Sequence, residues 1–95
     1  MTALAATVRD NEAAHRYELL VDEERVGELI YQARDGVVTL IHTEVAPQLE
    51  GHGLSEQLVA HALDDIRSRG LRIVPLCPFV GAYLRRHPEY EDLVE

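Results

Sequence analysis

Gln48-Leu49-Glu50-Gly51-His52-Gly53-Leu54-Ser55 stands between a β-branched run ending at Val45 and an amphipathic stretch opening at Leu54. Two glycines one residue apart let the backbone turn sharply and approach a ligand closely. A helix starting at the second glycine aims its unsatisfied N–H groups and its positive dipole end into that turn. Such a corner suits a phosphate or diphosphate without any basic side chain. The same glycines also read as a tight strand-to-helix corner with no ligand. Two other nucleotide motifs are excluded. The Walker pattern needs Gly-Lys-Ser/Thr, and the chain has no lysine. A dinucleotide fingerprint needs a third small residue where Glu56 stands.

Downstream of the corner, Leu54, Leu58, Val59, Ala62, Leu63 and Ile66 recur at helical spacing and predict a helix that Gly70 ends. Upstream, residues 7–11 form a short strand before a polar turn, and residues 15–21 alternate with Tyr17, Leu19 and Val21 on one side. After a turn at residues 22–24, residues 25–33 make the next strand. Asp35-Gly36 is a hairpin signal, and residues 37–45 follow as a β-branched strand. These segments predict an antiparallel meander of three to four strands. Residues 71–75 form a brief strand reached by a strand–helix–strand crossover, hence parallel to residues 37–45. Pro78 sits at a helix start, residues 81–86 read as a short helix, and Pro88 ends it. Tyr90, Leu93 and Val94 are expected to pack on the core. The fold class is therefore α/β (α+β): residues 1–6 a disordered tail, residues 7–95 a single domain.

Ninety-five residues with a hydrophobic fraction of 46% allow one thin core and no separate substrate domain. Seventeen acidic against nine basic residues give a formal charge of −8, which argues against nucleic-acid binding. The negative field favours cationic partners such as amines or basic peptides. Cys77 is the one cysteine, so no intrachain disulfide forms and a reducing compartment is expected. No apolar run reaches the roughly 18 residues of a membrane span. The first residues lack the basic flank and long apolar run of a secretory signal. The cytoplasm is the expected location. His15, His61 and His87 show no ligand-like spacing, so no metal site is expected. Nothing in the pattern sets the oligomeric state.

Gln48-x-x-Gly51-x-Gly53, after a long strand and opening an amphipathic helix, is similar to the Q/R-x-x-G-x-G/A signature of GNAT-type N-acetyltransferases. His42-Thr43-Glu44-Val45 precedes it. Pro75-Leu76-Cys77-Pro78-Phe79-Val80 and His87-Pro88-Glu89-Tyr90 follow it. Together these blocks resemble the short, single-domain YjdJ-like branch of that superfamily, over about residues 8–94. The resemblance implies an acetyl-CoA-binding domain that transfers an acetyl group to an amine, on a small molecule or a peptide. It implies that residues 37–45 and the next parallel strand splay apart around the pantetheine arm, which bonds backbone near Glu44 and Val45. It places the diphosphate on amides from Leu49 through Glu50, Gly51, His52 and Gly53 to Leu54, with Gln48 and Ser55 flanking them. The N-terminal helices and last strand pair of the full-length pattern have no counterpart in these residues. A non-catalytic acyl-CoA-binding module is therefore a further reading.

Four side chains are candidates for the chemistry. Tyr83 stands four residues before His87, where the family pattern has the tyrosine of Tyr-x-x-x-Gly-Phe. In the family that hydroxyl protonates the departing thiolate. Here His87-Pro88 replaces Gly-Phe, and a packed helix tyrosine is the alternative. Cys77, just before a helix, is placed to attack a thioester, or else is a small buried hydrophobe. His42 and Glu44 lie two apart on one strand and share a face. Either can take a proton from an incoming amine, or the two form a strand-face ion pair.

Overall fold

A computed structural model describes residues 5–95. It contains five strands: β1 (Ala6–Asn11), β2 (Arg16–Val21), β3 (Glu24–Arg34), β4 (Val37–Val45) and β5 (Arg72–Pro75). Two helices, α1 (Leu54–Ser68) and α2 (Pro78–Arg86), lie either side of β5 in sequence. Most of the expected tail lies outside the described residues, and its last member, Ala6, opens β1. The second helix starts three residues earlier than its pattern suggests, because Pro78 supplies a first-turn φ and needs no N–H partner.

The sheet order is β1-β2-β3-β4-β5, antiparallel throughout except for the β4–β5 pair, which is parallel. Tight turns fix the meander. Asp22 and Glu23 join β2 to β3 with φ of 52° and 65°, and Asp35 and Gly36 join β3 to β4 with φ of 52° and 79°. Two successive positive φ values give the turn a twist that matches right-handed strands. The sheet's inner face carries Tyr17, Leu19, Leu29, Tyr31, Val38 and Leu40, all buried. Against it α1 sets Leu54, Leu58, Val59, Ala62, Leu63 and Ile66, the stripe its spacing predicts. The C-terminal 3-10 segment Pro88–Leu93 adds Tyr90 and Leu93 to the same core. Val94 then bridges to Ile73 at the β5 edge.

One position in β4 breaks the pairing rhythm. Ile30 opposes His42 and Tyr31 opposes Leu40, so Ile41 is an extra residue. This bulge puts Ile41 and His42, two successive residues, on the exposed side while Leu40 and Thr43 stay inward. The β4–β5 ladder runs only from Val37–Arg72 to Leu40–Pro75. The Cys77 N–H then closes on the Leu40 carbonyl at 2.9 Å, and the chain turns away into α2. Among the described residues, no strand pairs with residues 41–45 on that side. The fork lies immediately beyond the bulge.

On the outer face, opposite α1, Glu18 is 1% exposed. Arg9 Nε donates to one carboxylate oxygen at 2.8 Å; Arg16 Nε at 2.7 Å and Asn11 Nδ2 at 3.1 Å donate to the other. These bonds, led by that from Arg16, hold the Glu18 carboxyl down to about 2, against an ordinary 4.5. They also cushion a row in which Glu18, Glu28 and Glu44 stand opposite one another across three strands. Like charges so placed repel, and Arg16 reaches Glu28 as well, at 3.5 Å. Replacing Glu18 by Gln should cost about 1–3 kcal/mol at neutral pH, read from the urea midpoint. A depressed carboxyl stabilises the fold above its unfolded value and loses that effect as it protonates. The gap between parent and Glu18→Gln should therefore shrink from pH 4.5 downward and close near pH 2.

Candidate functional site

The chain leaves β4 through the 3-10 turn Pro47–Leu49 and enters α1 at Gly53, whose φ is 71°. Gly51 has φ of 88°. Among the described residues no side chain caps α1, and its first internal bond runs from the Gln57 N–H to the Gly53 carbonyl at 3.1 Å. Among the described residues, none of the main-chain N–H groups of residues 51–56 finds a protein acceptor. An exposed helix start with that many unmatched donors is a ready anion site.

A cleft of about 500 Å³ opens beside these donors. Val45, Leu49, Leu54 and Phe79 give it an apolar wall, while Gly51, Gly53, Ser55 and the carboxylates of Glu50 and Glu56 form the rest. The carboxylates oppose an anion. The counterweight is Arg86, whose Nη2 lies 3.9 Å from Glu56 and so brings a guanidinium towards the mouth. His52 is exposed and is not part of the lining, and Gln48 faces another hollow with Glu44. Of the residues that the resemblance assigns to the cofactor, the cleft gathers Val45, Leu49, Glu50, Gly51, Gly53, Leu54 and Ser55.

The four chemical candidates occupy three places. Cys77 is 3% exposed at the tip of the fork, its Sγ 3.3 Å from Thr43 Oγ1. Thr43 was not singled out in the sequence. Its inward orientation follows from the bulge, which alternation alone does not reveal. His42 and Glu44 lie on the outer face, 55% and 69% exposed at their side chains, with Nε2 and Oε1 3.2 Å apart. They point away from Cys77, because Thr43 between them points in. Tyr83 is buried on α2 with its ring stacked on His87 at 4.1 Å. It lies beyond the cleft lining.

Tyr83 nevertheless differs from the chain's other three tyrosines. Tyr17 donates to Asp65 at 2.7 Å, Tyr31 to Asp10 at 2.5 Å and Tyr90 to Asp64 at 2.7 Å. Among the described residues the Tyr83 hydroxyl has no such partner. Burial, followed by the charges of Glu89 and Asp64, pushes the Tyr83 phenol up, so it is neutral at pH 7. The bond to Asp64 leads the causes that take Tyr90 to about 12.

The family model of the GCN5-related N-acetyl-transferases matches residues 16–93. The chain belongs to the GCN5-related N-acetyltransferase family. Membership makes it an acyl-transfer enzyme by family. Among solved structures, the chain is similar to the NMR solution structure of a GCN5-like protein from Staphylococcus aureus. The two are 21% identical with a TM-score of 0.68, over 100% of this chain and 91% of that one. A search of curated proteins finds no significant match. No helix among the described residues is long and apolar enough to cross a membrane.

The two glycines of the family can be separated from ordinary helix glycines by stability. A Cβ at Gly53 meets nothing within 4 Å, so Gly53→Ala should lose only the left-handed backbone penalty, about 1–2 kcal/mol. Gly81 sits inside α2 with only the flexible Arg85 side chain nearby, at 3.8 Å. Gly81→Ala should instead gain roughly 0.4–1 kcal/mol. Thermal midpoints moving in opposite directions would establish the difference.

Proposed function

We infer that the chain is an acetyl-CoA-dependent N-acetyltransferase acting on an amine. The observation that carries this reading is the run of unmatched N–H groups at residues 51–56, beside a cleft with an apolar wall. Those amides would hold the diphosphate, as a main-chain site that works in a chain of charge −8. The unpaired side of residues 41–45 offers main-chain donors and acceptors to an extended arm, as any free strand edge does. Acetyl-CoA supplies the activated acyl group.

Each remaining step falls to a side chain of this protein. Glu44 fixes the His42 ring: with the proton on Nε2 directed at the carboxylate, Nδ1 is left as the base. It removes a proton as the amine nitrogen bonds to the thioester carbonyl carbon. When the carbon–sulfur bond breaks, the unpartnered hydroxyl of Tyr83 gives its proton to the leaving thiolate. The neutral state that burial enforces suits this role.

A second route is favoured by the position of Cys77 at the fork tip, with Thr43 Oγ1 in reach. In it Cys77 Sγ attacks the thioester carbonyl and its proton passes to the departing sulfur, so coenzyme A leaves as its thiol; an amine then displaces the acetyl group and its proton returns to Cys77 Sγ.

Calorimetric titration with acetyl-CoA should give saturable 1:1 binding, and amide resonances of residues 51–56 should move most. Binding that leaves those amides unmoved would sink the proposed cradle. Tyr83→Phe should lower thiol release with amines by about 10²–10⁴-fold, while acetyl-CoA affinity holds. A parent-like rate removes the acid role. Intact mass after incubation with acetyl-CoA separates the two routes. A single acetyl adduct that Cys77→Ala abolishes assigns the cysteine route, and turnover without adduct assigns direct attack. Binding with no turnover on any amine marks a binding module.

A further inference from the structure

The outer face of β4 holds a second cavity, separate from the glycine-corner cleft. It encloses about 310 Å³ between the start of β3 and the end of β4. Glu24, Arg25, Glu28, Glu44 and Gln48 supply its side-chain polarity. Three carboxylates thus stand against two guanidiniums, Arg25 in the lining and Arg16 beside it, both drawn to Glu28, at 3.0 and 3.5 Å. Glu24 is left unmatched among the described residues. The hollow keeps a net negative balance in a space large enough for a small-molecule group.

From this hollow, β4 leads straight to the fork. Glu44 belongs to both the hollow and the His42 pair. Beyond His42 comes the bulged Ile41, 36% exposed, and past the last β4–β5 pair stands Leu76, 65% exposed. These are the only large hydrophobic side chains left exposed among the described residues. Both sit at the fork mouth, where the register Leu40–Pro75 ends. Glu44 and Ile41 are three residues apart, or roughly 10 Å along the strand. The acidic hollow, the His42 ring and the exposed Ile41 therefore lie in one line along β4, with Leu76 beside its end.

We propose that this line is the acceptor track, and that the acceptor is a linear molecule with a second cationic group about 10 Å from the amine that is acylated. The inference rests on the acetyltransferase reading and deepens it. The distal ammonium sits among Glu24, Glu28 and Glu44. The methylene chain runs past His42 to Ile41 and Leu76, and the reactive amine arrives at the fork. An α,ω-diaminoalkane has this chemistry, and a simple monoamine lacks half of it.

The test titrates the acetyl-CoA-loaded protein with a homologous series of α,ω-diaminoalkanes and with monoamines of equal length, by calorimetry and by thiol release. The diamine of matching length should bind roughly five- to tenfold tighter than its monoamine. Added salt should erode that advantage. Glu24→Gln should reduce it and Glu24→Gln/Glu28→Gln should abolish it, while Leu76→Ser weakens both ligands. Glu28 also holds Arg16 and Arg25, so the single variant guards against a folding defect, with the thermal midpoint as control. Equal affinity of diamine and monoamine overturns the proposal. So does an advantage that survives the double variant, or no diamine binding at all. Failure of acetyl-CoA to bind is a separate result that defeats the cradle. The amine titrations are then run on the protein alone, and the same absence of preference overturns the track.

Discussion

Main-chain hydrogen bonding along β4 changes partway through the strand, and both candidate sites depend on that change. From Val37 to Leu40 the strand is paired on both sides, by β3 and by β5. After Leu40, β5 departs and only β3 remains. The closing bond from the Cys77 N–H to the Leu40 carbonyl marks the last contact before α2 swings away. The bulge at Ile41 falls at the same level and reorients every later residue of β4. Without it, strict alternation from Leu40 would turn His42 and Glu44 inward and Thr43 outward. With it, Thr43 meets Cys77 under the sheet while His42 and Glu44 stand outside.

The rest of the sheet holds this defect in place. A strand that loses one neighbour and carries a bulge needs firm pairing on its other side, and β3 provides it along nearly the whole strand. At the far end of the inner face, Tyr17 and Tyr31 donate to Asp65 and Asp10, and Arg69 ties Asp10, Glu12 and Asp65 together. This cluster joins β1, β2 and β3 to the end of α1. It is well removed in the chain from the opposite end of α1, where the N–H groups are left unmatched. The helix is thus anchored at one end and chemically open at the other.

Electrostatics divide along the same lines. An acidic chain that takes an anionic donor must do so where side-chain charge matters least, and backbone amides at a helix start meet that need. The outer sheet face carries Glu18, Glu24, Glu28 and Glu44 with Arg9, Arg16 and Arg25. There Glu18 is neutralised by Arg9 and Arg16 and Glu44 meets His42, while Glu24 has no partner among the described residues. In the proposed reading, donor and acceptor sites of opposite preference occupy opposite faces of one strand.

By itself the sequence determined the order and kind of the elements, because each rests on a local pattern: the Asp35-Gly36 hairpin, the apolar stripe from Leu54 to Ile66, the stop at Gly70. It also marked the glycine corner, since positive φ at Gly51 and Gly53 is a local demand that glycine meets without strain. Only the tertiary structure decided how the chemical side chains are shared out. The Ile41 bulge shifts the register by one residue, and no count along β4 reveals it, because a bulge is defined by the partner strand. The same holds for Thr43 beside Cys77, for Phe79 in the cleft wall and for the Tyr83 hydroxyl, which alone among the tyrosines of the described residues has no carboxylate partner. Those are contacts between segments far apart in the chain, and periodicity within one segment carries no information about them.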